Sequence, residues 1–148
     1  MLQLYRLTNT DIVSLQSILT DKKSRGIYGE VNLKHIMENV FGVNDKIYKL
    51  QCTLPNTTIA DCVLYAPEPL GTIIIDSKFP LENYQMMVDK NLSPSERAMH
   101  EKQFKIDVKK HIDAISSKYI IQGVTSDQAI MFLPAEAIFA EINAYHAD

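Results

Sequence analysis

Positive charge, cysteine, glycine and long apolar runs are all scarce in this chain, and each shortage narrows what it can be. With 15 Lys and Arg against 18 Asp and Glu, the net charge is −3. That balance disfavours sequence-blind clamping of a nucleic-acid duplex, which is driven mainly by neutralising phosphates, though not local contact with one. The two cysteines, Cys52 and Cys62, fall in strand-like runs with neither a C-x-x-C step nor Cys/His spacing suited to zinc. They read as free thiols packed as small apolar side chains in a reducing compartment. No apolar run approaches the roughly 18 residues a membrane span needs, and no signal-peptide pattern stands at the start. A cytoplasmic domain without a membrane span is therefore expected. The histidines His35, His100, His111 and His146 are dispersed, and His111 reads as a face-border residue of a helix rather than a base. There is no Gly-rich phosphate loop, no nucleophile elbow and no aromatic RNA-binding strand. No internal repeat or low-complexity segment is present.

What is there suits one folded domain. A length of 148 residues, 46% hydrophobic and 22% charged, is enough to bury a sizeable core. Residues 1–20 carry Ile12, Leu15 and Leu19 at helical intervals, with Asp11 as a cap, and predict a helical lead-in. A second helix is expected from about Ser24, as N-cap, to Val40, with Ile27, Val31, Met37 and Val40 as its apolar stripe and Gly42 as its stop. Three strands follow. Tyr48, Leu50, Cys52 and Leu54 alternate with polar residues, Ile59–Ala66 is apolar on both faces, and the β-branched run Thr72–Ile75 leads into Asp76-Ser77-Lys78. Leu81–Val88 reads as a short helix after Pro80. Ser93-Pro94-Ser95-Glu96 is a capping box with an early proline, and it opens a long helix striped by Phe104, Val108, Ile112, Ile115 and Tyr119. Its opposite face holds Lys102, Lys105, Lys109 and Lys110 diluted by acids, the pattern of a solvated face. A short buried strand, Ala129–Leu133, and a last helix, Ala135–Tyr145, complete the order. The first three strands should form a meander, with the fourth parallel to one of them after a helical crossover. The fold class is α/β, a mixed central sheet with helices on both faces.

The chemistry concentrates between Ile59 and Lys78. Side chains alternate along a strand, so Asp76 and Lys78 leave one face and Ser77 the other. If the second and third strands pair antiparallel about Pro69, Asp61 comes level with Ser77 to within about a residue, beside Asp76 and Lys78. An aspartate inside a buried strand demands a partner, because an unpaired buried carboxylate costs several kcal/mol. An acid-x-lysine step alone is weak, arising by chance about once in a chain of this length. Here it ends a buried strand, an aspartate lies level with it, and a helix bearing Glu30 precedes both. Mg²⁺ or Mn²⁺ prefers carboxylate and carbonyl oxygens plus waters. Asp61, Asp76 and the carbonyl of Ser77 would be its ligands, and Lys78 would orient the attacking water and offset charge on a phosphate under hydrolysis. Glu30 has two readings: a boundary residue whose head reaches solvent, or an acid aimed at Asp61 that holds a water or a second ion. The whole set also has a bland reading, an Asp61–Lys78 or Asp76–Lys78 ion pair capping the sheet end.

RGIYGE (Arg25–Glu30), IADCVLY, IIIDSKFPLENY (Ile73–Tyr84), KYI (Lys118–Ile120) and MFLPAEAIFAEI (Met131–Ile142) resemble the RmuC family of bacterial DNA recombination proteins, in order and over nearly the whole chain from Ser24. The resemblance implies a restriction-endonuclease-like αβββαβ core of the PD-(D/E)xK superfamily. It also implies that Glu30 is the acid of the first helix, Asp61 the motif's first aspartate, and Asp76 with Lys78 its second half. The proline usual before the first aspartate is Ala60 here; that proline ligates nothing. Family members are longer, with a membrane anchor and a coiled coil, so residues 1–22 would be the tail of that coil and residues 23–148 the nuclease-like domain. The expectation is thus a metal-dependent DNA nuclease whose partners are DNA and, through coiled-coil flanks, further copies of itself. A nuclease-like scaffold that binds DNA or proteins without cutting is the alternative.

Overall fold

The computed structural model describes residues 22–78 and 81–134. The expected lead-in helix before residue 21 and the last helix, Ala135–Tyr145, lie outside the described residues.

Helix α1 spans Lys22–Phe41. It begins before Ser24, which therefore lies inside the helix and is not its N-cap. Gly42 ends it as expected, in a left-handed conformation (φ 70°) that glycine adopts without steric cost. The Gly42 amide donates to the Glu38 carbonyl at 2.8 Å, and the hydroxyl of Tyr48 donates to the Gly42 carbonyl at 2.7 Å. The buried side of α1 is not the stripe its apolar residues predict. Leu33 and Met37 are buried together with Gly29, whereas Ile27, Val31 and Val40 are exposed. The reason is steric. The helix approaches the sheet most closely where it has no side chain at all, and a Cβ added at Gly29 would lie 2.5 Å from Oγ of Ser77. The face is set by that glycine and by Leu33 and Met37, one and two turns further on.

Strands β1 (Tyr48–Thr53), β2 (Ile59–Tyr65) and β3 (Thr72–Ser77) form the antiparallel meander. After helices α2 (Leu81–Val88) and α3 (Pro94–Tyr119), strand β4 (Ala129–Phe132) joins the far side of β3 in parallel. The sheet order is β1-β2-β3-β4. Helix α3 opens on the expected capping box: Ser93 Oγ accepts from the Glu96 amide, and Glu96 accepts from the Ser93 amide at 2.8 Å. Its stripe works in two parts. Phe104 packs its ring on Tyr84 of α2, 5.6 Å between centroids, and Ile115 and Tyr119 are buried on the sheet. Ile112, expected in the same stripe, is instead half exposed, since it falls between those two contacts.

The sheet buries a core on each face. Ile115 and Tyr119 of α3 cover Val63 and Ile74; Leu33 and Met37 of α1 cover Tyr48, Cys62 and Ile75. The alternation along β3 follows from this. Ile74 faces α3, so Asp76 does too, whereas Ile75 and Ser77 face α1. Cys52 and Cys62 are free thiols as expected.

Candidate functional site

The β2–β3 ladder pairs Cys62 with Ile75 and Val63 with Ile74, so its continuation sets Asp61 opposite Asp76, one residue from the register expected from the turn. The ladder itself stops there. In it Ser77 would exchange backbone hydrogen bonds with Ala60. Instead, the Ser77 amide donates to Oδ2 of Asp61 at 2.7 Å. A side-chain carboxylate has taken the place of a ladder carbonyl, which splays β2 from β3 and anchors Asp61 against the backbone between Asp76 and Lys78. On the opposite edge of β3 the Lys78 amide donates to the Phe132 carbonyl at 2.9 Å, so β4 fixes the other flank. In an extended strand a residue's N–H and C=O leave on the same side. The Ser77 carbonyl therefore leaves toward Asp61.

Asp76 is buried, with 4% of its side chain exposed, and Nζ of Lys78 lies 3.0 Å from its Oδ2. No donor reaches that oxygen with hydrogen-bond geometry, so its interaction with Lys78 is one of charge. Tyr119 is the neighbour on the helix side. Its hydroxyl donates to the Ile59 carbonyl at 3.2 Å, and burial, with the negative charge of Asp76 next, drives its phenol well above the ordinary range. Burial raises the Asp61 carboxyl above the usual aspartate range and the charge of Asp76 adds to this, against the lowering effect of the Ser77 amide, the Gln51 amide and the Lys78 ammonium. Beneath it, burial and the Asp61 charge push the Cys62 thiol up to about 11, so it is no nucleophile.

Glu30 comes from α1 on the other face of β3. Gly29 lets the helix settle on Ser77 and Pro134, and that brings the next residue within electrostatic reach of the site. Partial burial and then the charge of Asp61 raise the Glu30 carboxyl. Glu30 is exposed, and the charge of Asp61 reaches it. Of the residues the sequence singled out, Asp61, Asp76, Ser77 and Lys78 meet at one end of β3, and Glu30 borders them. The Asp76–Lys78 ion pair of the bland reading is also present.

Among the described residues, no three His, Cys, Asp or Glu side chains gather closely enough to ligate one ion. The donor set is two carboxylates and a carbonyl. That fits Mg²⁺ or Mn²⁺, which commonly takes one or two carboxylates and completes its shell with water and substrate oxygens. It does not fit zinc, which asks for three or four protein ligands. The buried Oδ2 of Asp76 has no hydrogen-bond donor, and the cation beside it is Nζ of Lys78, 3.0 Å away.

Two participants were not visible in the sequence. Tyr119 reads there as core, and Gln51, whose amide nitrogen is 3.5 Å from Oδ1 of Asp61, reads as the wet side of an alternating strand. A glutamine level with a strand aspartate was the only signal available. A groove of about 490 Å³ along β1 includes Gln51, Lys49 and Tyr48 in its lining, but also Glu38 and Asp45. It adjoins the acids only through Gln51. On α3, Lys105 pairs with Glu101 at 2.7 Å and Lys109 with Asp113 at 2.9 Å, so two of the four lysines of that face are paired within their own helix.

Fold and site together define a mixed α/β domain with a four-stranded sheet between helices, in which two acids and a lysine crowd the carboxyl end of an interior strand. The chain belongs to the RmuC family, whose model matches residues 1–148. It is similar to proteins named DNA recombination protein RmuC homolog from two strains of Xylella fastidiosa, Temecula1 and 9a5c, each 28% identical over 139 residues. Each match covers 89% of this chain and 30% of the relative, so the chain spans about a third of the length of those proteins. No solved structure matches it. Among the described residues, no helix is long and apolar enough to cross a membrane.

Proposed function

We propose that this chain carries a metal-dependent DNA nuclease centre of the PD-(D/E)xK type, with Asp61, Asp76 and the Ser77 carbonyl as ligands of Mg²⁺ or Mn²⁺. The observation that carries the proposal is the interrupted ladder. Asp61 is drawn out of strand pairing and fixed by the Ser77 amide directly across from a buried Asp76 that is paired with Lys78. Two like charges in that position are costly for a structural role alone. When bound, the ion would polarise a phosphate oxygen and make water a better nucleophile. The chain's own residues do the rest. Lys78, about one-third exposed, stands between the buried acid and solvent, where its ammonium orients an attacking water and offsets charge building on the phosphate. Glu30 keeps its proton to higher pH than an isolated glutamate and serves as the proton acceptor or water anchor at the rim. DNA is the substrate suggested by the relatives' name. With a net charge of −3 and a lysine face half paired with its own acids, this chain would hold DNA by contacts near the site.

The Asp76–Lys78 pair favours a second reading: a scaffold whose ionic cap has replaced the ion, binding DNA or proteins without cutting. One set of measurements separates the two. Supercoiled, linear and single-stranded DNA are incubated with the chain and Mg²⁺ or Mn²⁺, in parallel with Asp76→Asn. Cleavage that needs the metal and disappears in Asp76→Asn, with melting close to the parent, supports the nuclease. Cleavage that survives the substitution rejects these residues as its centre. Salt-sensitive DNA binding with no cleavage of any form favours the scaffold.

A further inference from the structure

Gln51 is exposed, yet its backbone sits in the left-handed region at φ 47°, in the middle of β1. The other non-glycine residue of positive φ among those described, Thr57, lies in the turn after that strand. A side chain in that conformation crowds its own backbone, and it persists only where the surroundings impose it. The β1–β2 register shows what surrounds it. Tyr48 pairs with Leu64, Lys49 with Val63 and Leu50 with Cys62; then the pair Gln51–Asp61 is missing, and Cys52 resumes with Ala60. The strands also exchange faces there. Tyr48, Leu50 and Cys62 pack toward α1, while Cys52 and Ala60 pack toward α3. The kink is centred on Asp61, and at its centre the Gln51 amide reaches Oδ1 of that carboxylate at 3.5 Å. Asp61 is therefore contacted from both strands beside it, Oδ2 by the Ser77 amide at 2.7 Å and Oδ1, at the outer limit of hydrogen bonding, by Gln51.

The geometry points to Gln51 as a positioning residue: its strained backbone turns the side-chain amide across the gap in the ladder to fix the rotation of the Asp61 carboxylate. This rests on Asp61 being a metal ligand only for its consequence in function; the orientation itself is a property of the metal-free chain. Partners of this kind hold a ligand's orientation, and their loss commonly costs about 10-fold or more in metal affinity.

Two substitutions separate positioning from packing. Gln51→Gly accepts the left-handed backbone freely and deletes the amide. Gln51→Asn tolerates that backbone and keeps an amide, but is one methylene too short to reach. Hydrogen exchange of the Ser77 amide, whose acceptor is Asp61, reads the carboxylate's orientation without metal, and Mn²⁺ titration reads the consequence. We expect both variants to melt at or above the parent temperature, Ser77 to exchange several-fold faster, and Mn²⁺ affinity to fall about 10-fold. Parental Ser77 exchange in both variants would overturn the assignment and leave the kink a packing device. Absence of Mn²⁺ binding in the parent would defeat the metal centre, while the exchange measurement would still decide the role of Gln51.

Discussion

Replacing Lys78 by methionine tests the electrostatics of the site before any metal or DNA is added. The substitution keeps most of the aliphatic stem and removes the charge nearest to Asp76. At 3.0 Å and an effective dielectric of about 20, the pair gains roughly 5 kcal/mol of Coulomb energy. Against this stand the ordering of a long side chain, at most about 2 kcal/mol, and the desolvation of an ammonium that is still 32% exposed. A net loss of about 2–3 kcal/mol is expected, below the 3–5 kcal/mol typical of wholly buried pairs. In a chain of this size that lowers the melting temperature by roughly 5–10 °C. The loss belongs to the stranded carboxylate and not to the missing lysine, so Asp76→Asn in the Lys78→Met background should recover most of it. Calorimetry of the four proteins closes a double-mutant cycle. Mn²⁺ should also raise the melting temperature of Lys78→Met more than that of the parent, because a bound cation replaces the lost one without competition from it. If Lys78→Met melts within about a degree of the parent, Asp76 is not held by charge and the electrostatic description of the site is wrong.

Three further outcomes follow from the same structure. Gly29→Ala gains up to about 1 kcal/mol of helix propensity but forces Oγ of Ser77, 2.5 Å from the new Cβ, to rotate. It should therefore be nearly neutral in thermal denaturation, whereas Gly29→Val, which crowds Ser77 and Pro134 with branched carbons, should lose about 1–3 kcal/mol. The raised carboxyls of Asp61 and Glu30 mean that, between the ordinary carboxylate range and their raised values, the folded chain holds more protons than the unfolded one. Their contribution to stability therefore declines as pH rises through that window. Asp61→Asn should flatten this decline in melting curves taken upward in pH from the ordinary carboxylate range, and parallel profiles for parent and variant would contradict it. Ser93→Ala removes the acceptor of the Glu96 amide and should cost about 1 kcal/mol, seen as early fraying of α3 in amide exchange.

Strand and helix positions were legible because period-2 and capping signals are local. The Ser93 box and the interior strand β2 need no knowledge of what lies across from them. The acids were legible for a related reason: a hairpin's register is fixed by its turn, so counting outward from Pro69 brought Asp61 within one residue of its observed level. The misread parts are those where close approach, not hydrophobicity, decides. Summing apolar residues on α1 selects Ile27, Val31, Met37 and Val40, of which Met37 alone is buried, because a glycine adds nothing to such a sum, yet it is at Gly29 that the helix comes close to Ser77. Tyr119 was legible as core, but its place beside Asp76 depends on where a 26-residue helix ends over the sheet.

Gln51 shows the limit most directly. Strict alternation assigns it to solvent, and it is exposed. Alternation also assumes an unbroken ladder, and the ladder breaks at this residue and its partner. The break puts Cys52 and Ala60 into the core beneath α3 while Leu50 and Cys62 remain beneath α1, so one distortion both wraps the hairpin around two cores and frees the Asp61 carboxylate from the sheet. A regular β1–β2 pair would keep Asp61 in register and leave the Ser77 amide to the Ala60 carbonyl. The fold's irregularity and the site's geometry are thus a single feature, and a substitution that restores regular pairing should stabilise the hairpin while dispersing the acids.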